Sequence, residues 1–206
     1  PDAGYTFDGW YSDAGYDHLL SNEETFEFVP AGPLRHIYPV FMPGEIQLDA
    51  LNTANCYIAP ELLRDYSFDA TVQGNGCATL NITPQRLSGA YARLVWETGT
   101  QANSVISSLG YDGSRIRFRT GTQQGNALIG LFNAGGECVW SWHIWVANYD
   151  PESSAQKYSS GDIFMDRNLG TVGTDYTKVT ACGLYYQWGR KDPFPHPASF
   201  TNNARP

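Results

Sequence analysis

The chain has little of what most function classes require. Basic residues are scarce: 13 Lys and Arg stand against 21 Asp and Glu, a net charge of −8 at pH 7. Duplex nucleic acid needs a basic face to neutralise phosphates, and an anionic membrane needs a polybasic segment, so both are excluded as partners. There is no run of about 18 apolar residues, so no helix of this segment inserts into a bilayer. No stretch of helical hydrophobic period reaches a dozen residues, which leaves short strands as the building material. The G-x-S-x-G elbow, the phosphate-binding loop, a G-x-G-x-x-G after a strand and H-E-x-x-H are all missing. Cysteine is sparse too: Cys56, Cys77, Cys138 and Cys182 are widely spaced, with no zinc-type pairing. They read as small buried hydrophobes, and if oxidised they leave three connectivities open. No cofactor or metal is expected.

What is present points to β structure. Hydrophobic residues make up 42% and charged ones only 17%, enough apolar surface for a core and too little charge for wholesale disorder. The 21 glycines and 12 prolines indicate a chain that turns often. From about Gly44 to Asp150 apolar and polar residues alternate. Tyr66, Phe68, Ala70 and Val72 share one parity; Ala78, Leu80 and Ile82 repeat it; Ala92, Leu94 and Trp96 follow. Arg115, Arg117 and Arg119 alternate with Ile116 and Phe118 and read as the wet face of a strand. Ala127 to Phe132 is nearly all apolar, as a central strand should be, and Asn133 to Gly136 reads as a hairpin loop into Cys138–Val146. About eight strands at this turn spacing predict a mainly β chain whose middle, 43–150, is an antiparallel, immunoglobulin-like sandwich.

The ends differ in character. Gly4 to Tyr11 (GYTFDGWY), followed by Ser12-Asp13, sets aromatics around small turn residues. This string resembles the Listeria–Bacteroides repeat of bacterial surface proteins, the internalin B-type, β-grasp-like repeat. His36 to Phe41 stands where the closing strand of that repeat falls, with Pro39 and Phe41 departing from its pattern. The resemblance implies that residues 1–42 are the back half of one repeat. Four further segments occur in order: Asn55 to Ile58, Trp140 to Trp145, Met165 to Gly170, and Gly183 to Pro195. Together they resemble surface proteins of the Bacteroidales in which a β-sandwich leads into a domain similar to the Fibrobacter succinogenes major paralogous domain, some associated with fimbrillin-like adhesins. On that resemblance residues 151–206 are the truncated start of a C-terminal α+β domain, with a short helix expected from Gly183 to Arg190. Both chain ends read as cut points in a longer protein.

Candidate chemistry is thin. Of His18, His36, His143 and His196, His143 shares a strand face with Ser141 and so has a nucleophile beside it by parity. Its simpler reading is a hydrogen-bonded structural histidine. Glu97, Glu137 and Asp166 are carboxylates that a glycosidase could pair, and Asp112-Gly113 and Asp150-Pro151-Glu152 could offer oxygen ligands; solvation and turns explain them as well. Asn81-Ile82-Thr83 is a glycosylation pattern followed by Pro84. Arg167 in the Asp166-Arg167-Asn168 cluster is expected to tie the C-terminal segment down through a carboxylate. The positive signal is aromatic: Trp145, Tyr149, Tyr185, Tyr186 and Trp188 exceed what a modest sandwich needs. Trp145, Tyr185 and Trp188 are the candidate binding residues, with packing of the C-terminal join as the competing explanation.

The expectation is a non-enzymatic segment of an exported protein, serving adhesion, display or spacing. The resemblance implies an extracellular, cell-surface, lipoprotein-type setting, with anchoring through parts outside this chain. Partners would be a host or bacterial surface glycan or protein. The alternatives are a carbohydrate-binding accessory module of a polysaccharide-utilisation system, or the non-catalytic part of a larger enzyme.

Overall fold

A computed structural model describes residues 5–28, 32, 36–74 and 84–195. Cys77, the alternation at Ala78, Leu80 and Ile82, the Asn81 pattern and His196 lie outside the described residues. The chain divides into two units, Pro1–Ile46 and Gln47–Pro206.

The first unit is a three-stranded antiparallel sheet. Strand β1 (Tyr5–Tyr11) lies between β2 (Leu19–Ser21) and β3 (Tyr38–Pro43). In a regular strand Phe7 and Trp10, three residues apart, would face opposite sides. The register against β3 slips between Phe7 and Gly9, and this bulge brings the two rings to 5.5 Å. Gly9 is required there, because a Cβ would lie 2.4 Å from Leu19 Cδ1 and 3.0 Å from the Ser21 carbonyl.

The second unit is a β-sandwich. One sheet has the order β5 (Cys56–Ala59), β11 (Cys138–Val146), β10 (Gly125–Phe132), β7 (Tyr91–Glu97). The other runs β4 (Ile46–Gln47), β6 (Asp65–Asp69), β9 (Arg115–Thr120), β8 (Ile106–Tyr111). The β10–β11, β10–β7, β6–β9 and β8–β9 pairs are antiparallel; β5 runs parallel to β11, a departure from the all-antiparallel expectation. Between the sheets Phe68 meets Trp142 at 5.1 Å and Tyr57 at 5.1 Å, with Tyr66, Ile116 and Ile144 fully buried around them. β10 is buried along its whole length, as a central strand must be.

The arginine stripe of β9 points to water, and acids meet it there. Arg115 forks onto Asp49 with a 2.5 Å Nη2–Oδ1 bond, Arg117 pairs with Asp112, and Arg119 reaches Asp65 at 2.6 Å. The Arg115 guanidinium and the Asp69 backbone N–H together lower the Asp49 pKa in spite of its partial burial. The stripe is therefore neutralised in place.

The C-terminal segment departs from expectation. The described residues 151–195 hold two two-residue strands, β12 (Gln156–Lys157) and β13 (Ile163–Phe164), and one 3-10 turn at Val179–Ala181. No α-helix forms at Gly183 to Arg190, so the α+β expectation fails. Gly183 and Gly189 sit at φ of 76° and 77°, outside helical space, and Tyr185 and Phe194 exchange backbone hydrogen bonds of 2.8 Å instead. The cysteines depart as well. Cys56, Cys138 and Cys182 are free and exposed; the first two open their strands at the sheet margin.

Candidate functional site

Alternation along β11 sends Trp142, Ile144 and Val146 into the core and Ser141, His143 and Trp145 to the opposite face. That outer face is not wet. Residues 168–195 cover it, and their polar groups find partners on the sheet. Trp145 Nε1 donates to the Thr171 carbonyl at 3.1 Å, and Asn126 Nδ2 to the Gly170 carbonyl at 2.7 Å. Ser141 Oγ donates to Asp192 Oδ1 at 2.8 Å. The Lys191 ammonium bonds the Ser141 carbonyl at 2.7 Å, Ser141 Oγ at 2.6 Å and Asp192 Oδ1 at 2.5 Å, and it lies 4.4 Å from the centre of the Trp140 ring. Gly170 takes φ of 82°, and a Cβ there would stand 2.5 Å from Leu184 and 2.9 Å from Asn126 Oδ1. Only glycine lets the segment approach this closely.

Beneath it lies a chain of hydrogen bonds that parallel pairing assembles. His143 is directly opposite Cys56, 87 positions away in sequence, and Cys56 Sγ lies 3.1 Å from His143 Nδ1. His143 Nε2 lies 2.9 Å from Asn126 Oδ1. The Gly170 contact fixes which end of the Asn126 amide is oxygen, so Nε2 must carry the ring proton and Nδ1 must accept from the thiol. A donor sequence results: thiol to imidazole to amide to carbonyl. Thiol, imidazole and amide in this order are also the arrangement of an activated cysteine nucleophile.

The two uses call for opposite electrostatics. His143 is 3% exposed, and burial pulls its pKa down to about 4, with the nearby Asp192 charge raising it only partly. The Cys56 residue is exposed at the sheet edge, yet protein crowding around the thiol strips water from it and pushes its pKa up to about 12. A nucleophilic pair needs the reverse, a lowered thiol and a raised imidazole. With these shifts both groups are neutral near pH 7, the state of a hydrogen-bonded tie between the sheet edge and the C-terminal segment rather than of an activated pair. Site-by-site alkylation with iodoacetamide from pH 5 to 9 checks this. With the thiolate population cut about a thousandfold and partly offset by higher intrinsic reactivity, Cys56 should react about a hundredfold more slowly than a free cysteine thiol such as N-acetylcysteine at neutral pH. Its rate should still climb at pH 9. A fast, flat rate between pH 5 and 8 would mark a thiolate–imidazolium pair and contradict the structural assignment.

The other sequence candidates are committed elsewhere. Glu97 is 5% exposed rather than solvated, and its carboxylate accepts the backbone N–H groups of Asn103, Val105 and Ile106. Glu137 closes the Asn133–Gly136 loop, Asp112 and Asp150 accept turn N–H groups, and Asp166 pairs with its neighbour Arg167. His18 bonds Asp13 at 3.2 Å, and His36 stands against the Tyr38 ring. Among the described residues no three His, Cys, Asp or Glu side chains gather as a metal site would need.

The three aromatic candidates separate. Trp145 is 1% exposed and packs against Tyr149 at 5.0 Å, so it supports the C-terminal segment and presents nothing to a ligand. Tyr185 is half exposed and Trp188 is 100% exposed. Both lie on the loop closed by the Tyr185–Phe194 pairing. At its tip Arg190 N donates to the Gln187 carbonyl at 3.0 Å, with Gly189 supplying the positive φ. Arg190 stacks on Phe194 at 4.5 Å, which stiffens the returning arm. Sequence reasoning missed Cys56, Asn126, Lys191 and Asp192. Only Asn126 carried a signal, as the polar residue in an apolar strand.

Comparison with protein-family models, curated proteins and solved structures finds no match.

Proposed function

We propose that the chain is a non-enzymatic segment of an exported bacterial cell-surface protein that presents the 185–194 loop for adhesion to a surface glycan or protein. One observation carries the reading: Trp188 is wholly exposed at the tip of a loop whose base is fastened to the sandwich. Leaving a tryptophan's full apolar surface in water gains nothing for folding, whereas such side chains dominate binding energetics when a partner covers them. Tyr185 and Tyr186 flank it, each about half exposed. The surface location rests on the resemblance of the GYTFDGWY string and the four ordered segments. The acidic balance fits a partner that is neither nucleic acid nor an anionic membrane.

A screen of the chain against arrays of glycans and extracellular-matrix proteins tests this reading. Trp188→Ala should weaken the strongest saturable binder by about 30-fold or more, the effect of removing a central aromatic, with the fold unchanged. Binding that is indifferent to Trp188→Ala would remove the loop from the account. An enzymatic reading has one observation in its favour, the Cys56–His143–Asn126 alignment. Mass spectrometry of the same samples addresses it, since products that vanish with Cys56→Ala would replace adhesion with catalysis.

A further inference from the structure

A depression on the second unit lies away from the Trp188 loop, between residues 165–168 and the turn 173–182, with a volume of about 380 Å³. That is within the range of small-molecule sites, about 300–1,000 Å³. Asp166, Arg167, Asn168, Thr174 and Tyr176 line it.

Its floor is fixed. Arg167 Nε and Nη2 donate to the two oxygens of Asp166 at 2.8 and 2.9 Å, and the guanidinium lies 4.1 Å from the centre of the buried Tyr149 ring. Both side chains keep some surface, 16% for Arg167 and 20% for Asp166. The fork uses two of the five guanidinium N–H groups, and each carboxylate oxygen has lone-pair capacity left. Asn168 adds an amide, whose Nδ2 reaches the Cys182 carbonyl only at 3.5 Å, and Thr174 adds a hydroxyl. At the margin Tyr176 is 92% exposed and offers a flat face. The turn carrying it is set by Asp175, whose Oδ1 accepts from Thr177 N and Oγ1.

The charges choose the ligand class. Asp166 is balanced by Arg167, and Asp175 by Lys178 at 3.5 Å. An anion would meet the Asp166 carboxylate, and a cation would meet the guanidinium. A polyol hydroxyl both donates and accepts, so it satisfies the two together, while a pyranose ring turns its C–H face to tyrosine. We infer that this depression is a binding site for a neutral saccharide, one pyranose unit deep, held by Asp166, Arg167, Asn168 and Thr174 and capped by Tyr176. The inference stands apart from the reading of the Trp188 loop.

Ligand-observed NMR titration of the chain tests it. The neutral probes are methyl α-mannopyranoside, methyl β-glucopyranoside, methyl β-galactopyranoside and N-acetylglucosamine, with glucuronate and inorganic phosphate as charged comparators. At least one neutral probe should saturate below about 50 mM, and the charged comparators should bind more weakly. Tyr176→Ala, at a position exposed enough to leave the fold intact, should weaken that probe about tenfold, as should Thr174→Val, while Trp188→Ala leaves it unchanged. Failure of every neutral probe to saturate, tighter binding of a charged comparator, or binding untouched by both site variants overturns the inference. Loss of binding in Trp188→Ala alone would assign the sugar to the other loop and overturn it too.

Discussion

Glu97→Ala should lower the unfolding free energy by about 3–5 kcal/mol, among the largest effects of any single change in the second unit. The carboxylate is 5% exposed and accepts three backbone N–H groups, those of Asn103, Val105 and Ile106. It closes the connection between β7 and β8, where Val105 and Ile106 are almost fully buried and Asn103 takes φ of 61°. Removing the acceptor strands the buried Val105 and Ile106 donors and frees the more exposed Asn103 N–H, and each buried, unmade hydrogen bond costs about 1–3 kcal/mol. The loop would relieve part of this by opening. Urea denaturation followed by tryptophan fluorescence measures the change. Glu97→Gln, which keeps one oxygen, should lose roughly half as much. A loss below about 1 kcal/mol for the alanine variant would mean the loop closes without the carboxylate.

The second large effect is on pH dependence. His143 has its pKa pulled from an ordinary 6.5 to about 4 by burial, so the unfolded chain takes up a proton at higher pH than the folded one. Its contribution to stability is fully present above pH 6.5 and is lost as pH falls through 6.5 towards 4. Below 4 the loss is complete, and for a shift of this size it amounts to roughly 3 kcal/mol. The groups facing the imidazole are the Cys56 thiol, the Asn126 amide, the Trp96 ring and, further off, Asp192, which opposes the shift. Carboxylates with lowered pKa, Asp49 among them, begin to act only below about pH 5, so the fall from pH 6.5 to 5 belongs to His143. Denaturation midpoints of the wild type should therefore fall between pH 6.5 and 4. The difference between wild type and His143→Gln, which keeps a donor for Asn126 and removes the titration, should follow the same curve. Parallel midpoints for the two proteins across that range would show that His143 does not carry the acid sensitivity.

How far the sequence disclosed all this depends on the range of the interaction. Residues whose environment is set by neighbours two positions away were legible. Tyr66, Phe68 and Ala70 are all fully buried, with Val72 half-buried beyond the strand end; Ile116 and Phe118 face inward, and the arginines between them face out. The faces of β11 follow its alternation, and the Asn133–Gly136 loop closes as its residues suggest. What depended on distant pairing was hidden. Cys56 and His143 meet only because a four-residue edge strand adds to β11 in parallel, and no local pattern in Asn55 to Ala59 announces that direction. Glu97 looked like any solvated carboxylate, since its burial depends on a connection folding back over it. Trp145, picked out for its aromatic character, has the parity of the outer face, but that face is covered by a segment that reaches it from Thr171, 26 positions downstream. The helix expected at Gly183 does not form, for a local reason present in the sequence. Two glycines and an aromatic run with period two favour a turned, extended path over a helix.

The most direct test of the proposed role is to watch the tryptophans themselves. The chain has six, and 5-fluorotryptophan labelling gives each a ¹⁹F resonance, assigned by single Trp→Phe variants. Trp142 and Trp145 are buried, whereas Trp188 is fully exposed and should move with added solvent-contrast agent. On titration with the strongest partner from the arrays, the account predicts a saturable shift of the Trp188 resonance, with Trp142 and Trp145 unmoved. Saturable binding that leaves Trp188 in place and shifts another tryptophan would contradict it.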